Sequence, residues 1–122
     1  MLLHLASGLV CLACGAALVA VAPGVTAAAP LPYPQAVHNG ELAARAVLAR
    51  AGRESCLRGK LTRALLGLSD SCAASASRSP ICALADRAVV VTPMSLAFMD
   101  QTAHQLLERI QADPAAPPAP QP

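Results

Sequence analysis

Aromatic side chains are nearly absent from this chain of 122 residues: Tyr33 and Phe98 are the only two, and there is no tryptophan. Without a row of stacking side chains, single-stranded nucleic acid is a poor candidate ligand. Charge is also scarce. Asp, Glu, Lys and Arg make up 13% of the residues, about half the usual share for soluble domains. None of the four occurs before Glu41. Several motifs are missing as well: no G-x-S-x-G elbow, no phosphate-binding glycine loop, no H-E-x-x-H and no C-x-x-C-H. Those absences leave acyl transfer, nucleotide binding, zinc proteolysis and haem attachment without a sequence signature. No catalytic residue and no cofactor is assigned.

What the chain does have is alanine, about a quarter of all residues. Alanine favours helix and adds little volume to a core. A single small domain filled with Ala, Leu, Val and Met is marginally stable and gains from a covalent staple. That gives weight to the five cysteines.

The uncharged N-terminus reads as an export segment. Leu9 to Ala22 is apolar throughout, Pro23 and Gly24 break the helix, and Val25-Thr26-Ala27-Ala28-Ala29 offers small residues for signal peptidase. Cleavage is expected after Ala27 or Ala28, since Pro30 disfavours a cut after Ala29. The n-region carries no Lys or Arg. The alternative is an uncleaved anchor, because Leu5 to Ala22 is just long enough to span a bilayer. Residues 1–27 are therefore read as a signal peptide, 28–39 as a Pro-rich linker, 40–112 as a small helical domain and 113–122 as a disordered Pro/Ala tail.

The domain reads as all-α, a bundle of three to four short helices. Asn39 is the expected N-cap of the first helix, and Gly52 its terminator. A second helix is expected from Glu54 to Leu68, with Leu57, Leu61, Ala64, Leu65 and Leu68 at helical spacing. Residues 69–79 read as a Ser-rich connector holding at most a turn around Cys72. Ser79-Pro80 opens a third helix reaching about Val91, and Thr92-Pro93 opens a fourth reaching about Ala112. In the fourth, Leu96, Met99, Ala103, Leu106 and Ile110 form the apolar stripe.

Four groups of residues carry possible chemistry. Cys11 and Cys14 have a redox spacing but sit in the apolar export segment, where nothing lowers a thiol pKa. Cys72 and Cys82 are expected to form a disulfide across a hairpin of the second and third helices, leaving Cys56 a partly buried free thiol. Asp100, His104 and Glu108 recur every fourth residue and offer two oxygens and an imidazole to a divalent metal. Their angular drift away from the apolar stripe is that of a solvated flank, so no metal is assigned. Arg45, Arg50, Arg53, Arg58, Lys60 and Arg63 against Glu41 and Glu54 give the first half net +4, while residues 64–122 carry net −2. Such a cluster can contact an anionic membrane surface or an acidic partner.

The resulting expectation is an exported, non-enzymatic binding or structural protein of the periplasm or cell envelope. Its partner is an unspecified protein or an anionic membrane surface, not nucleic acid. One alternative is a metal-binding protein or enzyme using Asp100, His104 and Glu108. Another is a small subunit held in the membrane by its N-terminal segment.

Overall fold

A computed structural model describes residues 29–113. The expected signal segment, Cys11, Cys14 and the tail from Pro114 onward lie outside the described residues. Within them the chain forms four helices and no strand: α1 (Tyr33–Leu48), α2 (Glu54–Ala74), α3 (Pro80–Ala88) and α4 (Leu96–Ala112). The all-α expectation holds.

The helices pack in ring order, α1 against α2 and α4, and α3 against α2 and α4. Contacts at the helix ends show the up-and-down course of the chain. At one end, Tyr33 Oη and Ser79 Oγ are 3.1 Å apart, joining the starts of α1 and α3, and the Arg109 guanidinium of α4 donates to the Pro80 carbonyl at 2.9 Å. At the other end, Arg58 of α2 donates to the Met94 carbonyl before α4 at 2.7 Å. The core between the four helices is aliphatic. Val37 and Val47 of α1, Leu57, Leu61, Leu65 and Leu68 of α2, Ile81 of α3, and Met99 and Leu106 of α4 are all essentially buried. With no large aromatic to fill space, four leucines of one helix dominate it.

Several helix ends differ from the expectation, among them that of α3, which stops at Ala88 and not near Val91. Helix α1 begins at Tyr33, not at Asn39, so residues 33–39 are helix and not linker. Prolines do not oppose this, because Pro34 lies in the first turn, where backbone N–H groups have no helical partner anyway. The added turns bury Ala36 and Val37. At Gly40 two neighbouring helices approach α1 closely: a Cβ there would lie 3.3 Å from Leu106 and 3.7 Å from Leu68. Its absence of a side chain lets both leucines close in.

Helix α2 runs through the Ser-rich stretch to Ala74. Ser71 and Cys72 continue the buried stripe one turn past Leu68, and tertiary burial outweighs the weak helix propensity of serine. Helix α4 starts at Leu96, where the Ser95 hydroxyl accepts from the Phe98 N–H at 3.1 Å. Thr92-Pro93 does not open it. Met94 is buried and its carbonyl is held by Arg58, which keeps this stretch in the loop.

Gly52 does not terminate α1 either. The chain reverses at Arg50, with φ 52°, while Arg50 N–H bonds to Val47 O and Ala51 N–H to Ala46 O. This is the paired hydrogen-bond pattern of a Schellman cap. Helix α2 closes the same way on Ala76, with φ 53°, through Ala76 N–H to Ala73 O and Ser77 N–H to Cys72 O. An alanine in the left-handed region is strained, and Ala76 is exposed. Ala76→Gly should therefore stabilise the domain by about 0.5–1 kcal/mol, the relieved strain exceeding the extra entropy of the unfolded glycine. A thermal melt of the two proteins checks this, and a lower midpoint for the glycine variant would refute it.

Cys72 and Cys82 lie at disulfide distance, with Sγ atoms 2.01 Å and Cα atoms 5.8 Å apart. They link the last turn of α2 to the first turn of α3. Cys56 is exposed, not partly buried as expected. It precedes Leu57, and one residue of helix turns it about 100° off the buried stripe.

Candidate functional site

The six cations of the basic cluster sort into two sets. Arg45 pairs with Glu41 one turn earlier on α1, at 2.7 Å. Arg58 pairs with Glu54 on α2 and also holds Met94 O. Arg50 makes a two-pronged contact across the bundle, Nη1 to Asp100 Oδ1 and Nη2 to Asp100 Oδ2, each 2.7 Å. These three serve the fold. Among the described residues Arg53, Lys60 and Arg63 enter no ion pair.

The structure does not gather the candidate metal ligands Asp100, His104 and Glu108 into a site. Asp100 is committed to Arg50, while His104 and Glu108 are exposed on the solvent side of α4. Among the described residues no group of three or more His, Cys, Asp and Glu side chains is gathered as a metal site. Spacing of four on one helix does not gather a site here, because the first carboxylate is taken up by the Arg50 guanidinium just beyond the end of α1.

The hydrogen bonds from Arg50 hold the Asp100 carboxyl below its ordinary value of 3.8, with the nearby positive charge acting in the same direction and partial desolvation opposing. Because the folded value lies below the unfolded one, the unfolded chain takes up the proton first as pH falls. The contribution of this pair is present above about pH 3.8 and is lost as pH drops through the lowered folded value. Asp100→Asn should melt slightly below the parent protein at pH 7, with the gap shrinking toward pH 3. An equal gap at both pH values would contradict the assignment.

Lys60 and Arg63 stand over an open groove of about 500 Å³ between α1 and α2. Asn39, Leu42, Ala43 and Ala46 line one side at spacings of three, one and three, while Lys60, Arg63 and Ala64 line the other. Leu31 lies at one end, its Cδ1 3.9 Å from where a Cβ on Gly67 would be. Leu42 is 53% exposed and Leu31 38%, so the groove presents apolar surface as well as charge. A smaller groove of about 360 Å³ lies between α3 and α4, lined by Leu84, Val91 and Phe98 together with Arg87, Gln101 and Gln105.

The α1/α2 groove was not visible in the sequence. Leu42, Ala46 and Ala64 fall beside the buried stripes of two helices and Ala43 within one, and only their packing sets those flanks next to each other. No helix among the described residues is long and apolar enough to cross a membrane. No protein family, no curated protein and no solved structure matches the chain.

Proposed function

We propose that this chain is an exported, non-enzymatic helical protein that binds a partner through the α1/α2 groove. The observation that carries the reading is the groove itself, where exposed Leu31 and Leu42 adjoin Lys60 and Arg63, two cations that no described carboxylate neutralises. Exposed apolar surface beside uncommitted charge is the usual composition of a recognition surface.

Two features support export. The residues before Pro30 have the order of a cleavable signal, with an apolar run, helix breakers and small residues. The Cys72–Cys82 pair at disulfide distance suits an oxidising compartment. Intact-mass analysis of the protein from its native envelope fraction tests this directly. The expected mass is that of a chain cut after Ala27 or Ala28, two hydrogens lighter than the reduced form, with Cys56 open to alkylation. A full-length chain with free Cys72 and Cys82 would overturn export.

The binding half is tested by cross-linking in the native cells. A specific adduct of the wild-type protein should disappear in the exposed double variant Lys60→Glu/Arg63→Glu. An adduct pattern unchanged by the double variant removes the groove from the function.

A further inference from the structure

Building on that reading, we propose that the occupant of the α1/α2 groove is an acidic amphipathic helix of a partner protein. Its apolar ridge would rest between Leu42 and the α2 wall, and carboxylates along one edge would pair with Lys60 and Arg63.

The shape of the groove argues for a helix. Its lining includes small side chains on both sides, Ala43 and Ala46 of α1 and Ala64 of α2. Small residues between bulkier flanks form the kind of channel into which a helix ridge descends. The α2 wall from Lys60 to Ala64 runs about one turn, and from Asn39 to Ala46 the α1 wall runs about 10 Å, two helical turns. A partner ridge of that length presents apolar residues at i, i+3 or i+4, and i+7.

The charge specifies which helix. Lys60 and Arg63 are three residues apart, so both project from the same side of α2. The opposite wall offers Asn39 and Leu42 and no charge. A ligand helix with two carboxylates one turn apart on a single edge matches this one-sided pattern and is held in one orientation by it.

The same features disfavour other occupants. A planar membrane cannot reach alanines recessed between Leu42 and two long cations. A second copy using the same face would bring four cations together with no carboxylate from the groove lining to pair with them. The apolar segment preceding the bundle has no acidic residue, since none precedes Glu41.

The test titrates the full-length chain into two dye-labelled synthetic helical peptides of equal leucine spacing, one flanked by Glu and one by Lys, and reads fluorescence anisotropy. Vesicles of zwitterionic lipid, with and without anionic phospholipid, are titrated alongside. The Glu peptide should bind saturably and the Lys peptide should bind at least tenfold more weakly. Lys60→Glu/Arg63→Glu should weaken the Glu peptide by about tenfold or more, as expected for two rim charges reversed. Leu42→Ser should weaken both peptides, whereas Leu66→Ser, on an exposed position outside the groove lining, should leave them unchanged. Circular dichroism confirms that each variant remains folded.

Equal binding of the two peptides, or binding to anionic vesicles and to neither peptide, overturns the proposal. If the Glu peptide fails while the native cross-linked adduct still depends on Lys60 and Arg63, the groove remains the binding surface and only the helical partner class is wrong. If neither depends on those residues, the broader functional reading falls too.

Discussion

Reduced protein is expected to unfold at a urea concentration about 2–3 M below the oxidised protein, and Cys72→Ala/Cys82→Ala should behave like the reduced form. The argument starts from the separation of 10 residues between the two cysteines. Closing a loop of this length removes unfolded-chain entropy worth roughly 2.5–3 kcal/mol at room temperature. Domains of this size have total stabilities of only about 4–13 kcal/mol. The link also bears on local order. It ties the final turn of α2, which carries serines and ends on a strained alanine, to the capped start of α3. Without it, amides around Ser71–Ala76 should exchange with solvent well before those of the Leu57–Leu65 stretch. Coincident urea transitions with and without reductant would refute a stabilising role.

A second large effect is expected at Leu65. Its side chain is fully buried among the leucines of α2 and residues of the facing helices. Leu65→Ala removes that volume from a core with few large side chains available to shift inward, and should destabilise the domain by about 2–5 kcal/mol. The adjacent Leu66 is 45% exposed, and Leu66→Ala should stay within about 0.5 kcal/mol. The contrast between neighbours makes the test independent of helix propensity, since both variants make the same Leu-to-Ala change in the same helix. Denaturant unfolding of the two proteins measures it. Similar losses at both positions would mean that the face of α2 turned to the core has been misassigned.

The leucine stripe was legible because it depends only on the helical period. Leu57, Leu61, Leu65 and Leu68 of α2, and Met99, Ala103 and Leu106 of α4, are buried as their spacing implied. The flanking members of those stripes fared less well. Leu96 is 36% exposed because it is the first residue of its helix, above the edge of the bundle. Cys56 shows the same sensitivity, being exposed although its neighbour Leu57 is buried. The hairpin of α2 and α3 brought Cys72 opposite Cys82 as expected, even though α2 extends a turn and a half further than the sequence suggested.

The sequence by itself determined the helical class, the core faces of the two longest stripes and the approach of Cys72 to Cys82 within disulfide distance. These follow from period, composition and short chain separation, all local quantities. Only the tertiary structure decided where the helices begin and end, and which cations are free. A cap signal such as Asn39 or Thr92 competes with the burial of Val37 or Met94, and the winner depends on what packs above it. Arg50 and Lys60 look alike in the sequence. Arg50 meets Asp100 across fifty residues of chain, whereas Lys60 meets no described carboxylate and stands over an apolar groove. Charge pairing acts through space, so the split between structural cations and available ones appears only once the four helices are side by side.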